Sequence, residues 1–429
     1  MAFETYIISW NITKRCNLRC AHCYLDASYL TGDLTDELST EECFRLVDQM
    51  AEVNPKAVLI MTGGEPLLRK DIFEISRYAS EKGFLTVLGT NGIPITADIA
   101  LKIKENGIKG VGVSIDSLQA EVHDSFRGIK GAWNNTIKGI EEIKRVGLEF
   151  QIQTTVTKGN YDEIPSIVEF AYKTGARVFN LFFLVCTGRG EKMTDISAEQ
   201  YEDMLSYIYE IHDNFKGMMI RPKCAPHFKR IAYKSDPRSP LLNGYIGGCR
   251  AGTNYCRITP EGKVTPCPYM PVEVGNIREK SFSDIWWNSD VFKRLRHPEY
   301  RGRCQDCEYK LLCGGCRARA LSSNGDYMGD DPWCQYKPEN GEKKIINLET
   351  GIKYGLDDEI ENLQSGHGGK EITWSDEALR FLENIPFFAR DIARKGVEKH
   401  AREMGYTIVT VETMREAREK RAGKIRFNA

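Results

Sequence analysis

Apolar, β-branched runs alternate with amphipathic stretches through the first half of the chain. The runs at 6–12, 57–62, 84–89, 110–115, 150–156 and 178–185 are short and read as buried strands. Between them, apolar positions recur three and four residues apart over 72–81, 97–105, 133–145 and 164–173, which predicts helices. A further helix begins at Ser39, with Glu42 placed to close a capping box. Six β–α repeats predict an α/β fold with a parallel barrel, and six units rather than eight predict an incomplete one, a partial (β/α)6 TIM-like barrel over 1–240. In such a fold the working loops follow the C-terminal ends of the strands.

The periodicity fades from 241 to 340, where short segments broken by glycine and proline carry many cysteines. That pattern predicts a small domain held by metal more than by an apolar core. Residues 341–370 are polar, end in Ser365-Gly366-His367-Gly368-Gly369, and read as a linker. The last stretch, 371–429, predicts a small helical domain broken at Pro386 and Gly405.

Composition narrows the partners. The chain has 429 residues, 28% of them charged, and a net charge of −1. Nothing in that balance calls for nucleic acid or an anionic membrane. No apolar run approaches the ~18 residues of a membrane span, and the first ten residues are too short and polar for a secretory signal. A cytoplasmic protein is expected. The chain holds 14 cysteines, and 11 of them fall in two groups, 16–23 and 249–334, with Cys43, Cys186 and Cys224 apart. Clustered cysteines in reducing cytosol point to metal or redox work.

The first group is Cys16-x-x-x-Cys20-x-x-Cys23, followed after the next strand by Gly63-Gly64-Glu65-Pro66. Three thiolates on a four-iron, four-sulfur cluster leave one iron open to chelate a small molecule, and a carboxylate after two glycines can hold that molecule's ammonium group. Zinc wants four ligands, commonly as paired Cys-x-x-Cys. His22, between two of the cysteines, is poorly placed as a fourth and is expected to pack beside the site. The cysteine triad, Gly-Gly-Glu-Pro, Thr90-Asn91-Gly92 and Asp116 all follow predicted strands, so one rim would carry them together.

On these motifs residues 5–215 resemble the radical S-adenosylmethionine superfamily. The resemblance implies that Cys16, Cys20 and Cys23 bind a cluster and that Gly63, Gly64 and Glu65 meet the methionine ammonium of S-adenosyl-L-methionine. It implies that Asn91 and Ser114 contact the methionine or ribose, with Gln153 and Arg127 as further candidates. The chemistry implied is reductive cleavage of the sulfonium to a 5′-deoxyadenosyl radical.

The second group runs Cys249, Cys256, Cys267, then Cys304-x-x-Cys307, Cys313-x-x-Cys316 and Cys334. Eight cysteines make two sets of four, and spacing alone leaves zinc ribbons open. With Ile258-Thr259-Pro260-Glu261-Gly262 before Cys267 and Val274-Gly275-Asn276-Ile277 after it, the region resembles the SPASM extension of radical enzymes. That family's interleaved pattern implies two auxiliary clusters, three [4Fe-4S] clusters in all, one held by Cys249, Cys256, Cys267 and Cys316 and the other by Cys304, Cys307, Cys313 and Cys334. The two-residue gap between Cys313 and Cys316 departs from the usual three.

Three segments resemble the tetrapyrrole-modifying branch of haem biosynthesis. They are 182–190 (Phe-Phe-Leu-Val-Cys-Thr-Gly-Arg-Gly), Cys224-Ala225-Pro226-His227, and a tail running from Ile372-Thr373-Trp374 through Ile385-Pro386-Phe387-Phe388 to His400-Ala401. The tail resembles the small C-terminal domain of dark-operative protochlorophyllide reductase. The implied substrate is a sirohaem-derived tetrapyrrole, and the implied partner a small electron donor, ferredoxin or flavodoxin. Arg127 and Arg189 are candidate clamps for carboxylate side chains, His227 a candidate axial ligand or proton donor, and Cys224 a candidate reactive thiol. Each has a plainer reading: a salt bridge for the arginines, a core histidine, a buried thiol. Two rivals stand beside this reading: a peptide or sulfatase maturase of the same superfamily, and a non-catalytic iron–sulfur carrier with a tetrapyrrole-binding tail.

Overall fold

Every apolar run expected as a strand forms one. The computed structural model describes residues 5–25, 27–30, 36–185, 187–192, 196–242, 248–338, 345–346 and 373–383, together with 394, 397, 398, 400, 401, 404 and 406–417. The chain runs β1 (Ile7–Thr13), β2 (Arg15–Cys16), β3 (Ser28–Tyr29), α1 (Thr40–Val53), β4 (Val58–Gly63), α2 (Ile72–Glu81), β5 (Leu85–Thr90), α3 (Ala97–Glu105) and β6 (Gly110–Ser114). It continues α4 (Ala120–Arg127), α5 (Ala132–Arg145), β7 (Glu149–Val156), α6 (Ile164–Thr174), β8 (Val178–Phe183), α7 (Ala198–Ile211), β9 (Met219–Lys223) and α8 (His227–Ser235). The cysteine-rich part adds β10 (Tyr255–Ile258), β11 (Lys263–Thr265), β12 (Gly275–Asn276), α9 (Phe282–Asn288), α10 (Asp290–Arg296) and α11 (Arg317–Asn324).

Local chemistry explains the boundaries. Ser39 accepts a hydrogen bond from the Glu42 amide while the Glu42 carboxylate accepts from the Ser39 amide, the capping box expected for α1. β1 is buried along all seven residues, as a central parallel strand covered on both faces requires.

The strands form one sheet in the order β12-β11-β10-β1-β4-β5-β6-β7-β8-β9. All neighbours from β10 through β9 are parallel; β11 and β12 add antiparallel strands beyond β10. The order ends on β9 and β12, so the barrel is open. Two features exceed the expected six repeats. A seventh unit, α7–β9, follows the six; its strand reads Met-Ile-Arg-Pro-Lys, and Pro222 is tolerated because β9 is an edge. β10, from the cysteine-rich part, pairs directly with β1, so Cys256, Ile258 and Val264 join the barrel core. Residues up to Asp357 cluster as one compact unit.

The second unit spans Asp358–Ala429. In it β13 (Thr373–Trp374) pairs in parallel with β14 (Ile408–Val409), beside α12 (Asp376–Glu383). A small core of Ala378, Leu382, Val397, Ala401, Val409 and Met414 holds it together. The helical expectation for this tail omitted the β ladder, which β-branched Thr373, Thr407, Ile408 and Val409 favour. Pro386, Gly405, Ile385, Phe387, Phe388 and most of the expected linker lie outside the described residues, as does Cys186.

Candidate functional site

A cavity of about 360 Å³ opens at the C-terminal ends of the parallel strands. Its wall carries Cys16, Cys20 and Cys23, then Gly63, Gly64, Asn91, Ser114, Arg127, Gln153 and Arg189. The same lining includes Cys224, Cys249, Cys267 and Cys316. The rim expected from strand order therefore brings most of the candidate residues into one space.

The three-cysteine loop is held by other loops. β2 pairs with β3, fixing Cys16 at the start of the loop. The Arg19 and Ala21 amides donate to the carbonyls of Arg127 and Phe126 at the end of α4, both at 3.0 Å. His22 stacks on Phe126, ring centroids 4.4 Å apart, and burial lowers its pKa to about 4, so it stays neutral beside the thiols. From the loop after β8, the Arg189 amide donates to the Cys23 carbonyl at 3.0 Å, and its guanidinium donates to the carbonyls of Cys20 and Ala27 at 3.1 and 3.2 Å.

The thiols fit a cluster. Burial pushes Cys16 up to about 12, so it ionises only against strong positive charge such as iron. Its sulfur already accepts from the Leu18 amide at 3.4 Å, and Cys20 accepts from Arg127 Nη1 at 3.7 Å, the kind of hydrogen bonding that tunes cluster potentials. Among the described residues no three His, Cys, Asp or Glu side chains close on a single metal ion.

The two glycines after β4 are required by a close backbone approach. The Gly64 and Glu65 amides donate to the carbonyls of Thr13 and Arg15, both at 2.8 Å. A Cβ on Gly64 would strike the Arg15 carbonyl and lie 2.8 Å from that of Lys14; Gly63 sits at φ +133° with Thr13 in the same relation. Glu65, 0% exposed, does not reach the cavity surface. Its carboxylate accepts from Thr90 Oγ1 at 2.8 Å, the Asn91 amide at 2.9 Å and the Leu67 amide at 3.2 Å. Glu65 thus braces the loops after β4 and β5, while Gly63 and Gly64 line the cavity.

Asn91 is fixed by that brace and by its side chain, which donates to Asn17 Oδ1 at 2.6 Å. Ser114, the last residue of β6, is in register with Gln153 on β7. Arg127 pairs with the buried Asp116 carboxylate, whose second oxygen accepts from the Thr155 amide at 2.8 Å. Burial opposes the charge on Asp116, and the Arg127 guanidinium overcomes it, holding the carboxyl below its usual range. Arg127 and Arg189 thus line the cavity while anchoring the cysteine loop.

His227 is not brought to the cavity. It is 0% exposed at the start of α8, with Nδ1 bonded to the Tyr201 hydroxyl at 2.9 Å, and burial lowers its pKa to about 4. Cys256 is also away from the cavity, inside the core on β10. Cys304, Cys307, Cys313 and Cys334 come together as a separate set, each within electrostatic reach of another. Two residues that motif reading did not single out organise the far wall: Asp331 accepts from the Cys316 amide at 2.8 Å and pairs with Arg319 at 3.0 Å, both nearly fully buried. Asp-Asp-Pro at 330–332 before Cys334 was their one signal, and it reads as an ordinary turn.

Comparison with known proteins agrees with this geometry. Residues 10–171 match the model of the Radical SAM superfamily, 249–308 that of the SPASM iron–sulfur cluster-binding domain, and 374–418 that of the Proto-chlorophyllide reductase 57 kD subunit. The AdoMet-dependent heme synthase of Methanosarcina barkeri is 42% identical over 341 residues, 77% of this chain and 97% of its own. The Fe-coproporphyrin III synthase of the same organism is 32% identical, over 78% of this chain and 88% of its own. Streptococcus suis SuiB bound to S-adenosylmethionine shares the fold, with a TM-score of 0.59 over 78% of each chain at 19% identity. The protein uses S-adenosyl-L-methionine and [4Fe-4S] clusters, and it belongs to the radical SAM superfamily of enzymes, in the family that includes the AdoMet-dependent heme synthases.

Proposed function

We propose that the protein modifies side chains of a sirohaem-derived tetrapyrrole in haem biosynthesis, by removing carbon from a carboxylate-bearing side chain. The observation that carries this reading is the 42% identity to a heme synthase along 97% of that relative. A mycofactocin maturase of Mycolicibacterium smegmatis is less similar, 29% identical over 76% of this chain, so the comparison favours the tetrapyrrole over a peptide.

The residues supply the setting. Cys16, Cys20 and Cys23 would hold the cluster, with Gly63, Gly64, Asn91, Ser114 and Gln153 around the S-adenosylmethionine. When bound, these groups supply a 5′-deoxyadenosyl radical that takes a hydrogen atom from the side chain. Loss of the carboxylate as carbon dioxide leaves a double bond and releases one electron; Cys249, Cys267 and Cys316, which line the same cavity, would hold an auxiliary cluster able to accept it. Arg189, Lys223 and Arg250 also line the cavity and are basic groups of the kind that bind carboxylates, whereas Arg127 is already paired with Asp116. A ferredoxin or flavodoxin would supply the first electron.

The test is anaerobic reconstitution with strong reductant, S-adenosylmethionine and iron coproporphyrin III, measuring 5′-deoxyadenosine and product mass. The reading expects 5′-deoxyadenosine formation coupled to loss of about 46 mass units (carbon dioxide plus two hydrogens) per side chain. Uncoupled cleavage with iron coproporphyrin and sirohaem derivatives alike, together with turnover of a peptide, would overturn it.

A further inference from the structure

The cysteine that structure places opposite expectation is Cys256. β-strand side chains alternate between faces. On β1, Ile7 and Ser9 line the cavity and Ile8 does not. Cys256 is in register with Ile8 on the neighbouring parallel strand, and Arg257 with Ser9. Cys256 therefore faces the outer layer, fully buried, where its charged neighbour is Arg296 of α10. A thiol on that face cannot share a cluster with sulfurs inside the cavity unless the register slips by a residue.

Cys224 has the opposite placement. It follows β9 directly, at the rim, and lines the cavity with Cys249, Cys267 and Cys316. The Cys267 thiol lies within electrostatic reach of Cys249, Cys316 and Cys224. Cys224 holds φ +56°, a left-handed backbone that a residue with a Cβ rarely adopts, and the surrounding structure enforces it. One buried ion pair does so: Arg319 Nη2 donates to the Cys224 carbonyl at 2.9 Å, and its partner Asp331 accepts from the Cys316 amide at 2.8 Å. Both cysteines are thus pinned by the same pair, on the same side of the cavity.

We propose that Cys224, rather than Cys256, joins Cys249, Cys267 and Cys316 as the fourth thiolate of one auxiliary four-iron cluster. This rests on the iron–sulfur reading of the second cysteine group and is independent of the tetrapyrrole substrate. It also explains why Cys224 is held in a strained conformation and Cys256 is not.

The experiment uses the full chain with Cys16, Cys20 and Cys23 replaced by alanine, so that bound iron reports on the later cysteines. Iron, acid-labile sulfide and the electron paramagnetic resonance of the reduced protein are measured after anaerobic reconstitution. The variants are Cys224→Gly, Cys249→Ala and Cys256→Val; glycine takes the left-handed conformation without strain, so the fold at 224 is kept. The proposal expects Cys224→Gly to lose the same fraction of iron as Cys249→Ala, or to show the same new three-iron signal, while Cys256→Val keeps the parent's iron and spectrum. Full iron in Cys224→Gly with loss in Cys249→Ala overturns the proposal and leaves the cluster reading standing, as does iron loss in a Cys256→Val protein whose circular dichroism melt matches its parent. Full iron in both Cys224→Gly and Cys249→Ala overturns the cluster reading at this set, and the proposal with it.

Discussion

Arg127 reaches Cys20 with Nη1 at 3.7 Å while its other terminal nitrogen holds the buried Asp116 carboxylate. The residue that steadies the cysteine loop is thereby itself steadied by the end of β6. Replacing it by methionine would leave Asp116 buried without a partner, at a cost of about 3–5 kcal/mol. The loss of positive charge beside the sulfur would also make the cluster harder to reduce. We expect a lower melting temperature and a more negative cluster potential in Arg127→Met, by calorimetry and redox titration. Asp116→Asn combined with Arg127→Met should cost less than the two single changes added together.

Gly64→Ala tests the close approach behind the Gly-Gly turn. The new methyl would displace either the Arg15 carbonyl, one residue from Cys16, or the Gly63–Gly64 edge of the cavity. Overpacking of this kind costs about 1–3 kcal/mol, and a shift of about 1 Å at a reacting site costs about a hundredfold in rate. Formation of 5′-deoxyadenosine should fall by about that factor, with cluster iron retained.

Glu65 gives a pH dependence with a definite sign. Burial raises its carboxyl from the ordinary 4.5 to about 7, although the Asn91, Thr90 and Leu67 donors pull it down. Between those values the folded, ligand-free chain holds a proton that the unfolded chain has released. The stability linked to this group is therefore complete below about 4.5 and falls as pH rises toward 7, by at most about 3 kcal/mol. Measured against Glu65→Gln, the native chain should lose its advantage steadily across that window in thermal unfolding. A constant difference from pH 4.5 to 7 would contradict the assignment.

The two compact units have separate apolar cores, one centred on the barrel and one on Ala378, Leu382 and Ala401. A chain ending at Asp357 should therefore fold, bind iron and cleave S-adenosylmethionine at a rate within about twofold of the full chain, measured without tetrapyrrole. A difference that appears only when iron coproporphyrin is added would assign the tail to substrate handling.

Much of this was legible in the sequence because it rests on local chemistry. The six strands and the capping box at Ser39 follow from period and cap, and the rim position of the cysteine triad follows from strand order. Three features escaped for identifiable reasons. β9 carries Pro222 and reads as a loop until its edge position is known. β10 is four residues long, and its partnership with β1 spans about 250 residues of chain, beyond any local pattern. The motif places Glu65 at the rim, whereas its hydrogen bonds to Thr90 and the Asn91 amide link residues 25 and 26 positions apart and carry no local pattern. The same limit separates Cys224 from Cys256. Spacing counts cysteines, whereas the alternation of β10 decides which face each one serves.

The pairing of β10 with β1 has a consequence for biogenesis. While the chain is still being synthesised, one flank of β1 stays bare until residues 255–258 emerge, and the far wall of the cavity cannot form before them. Iron delivered earlier would meet a half-built vessel open to water and oxygen. Cluster loading would therefore follow the emergence of residues 255–258.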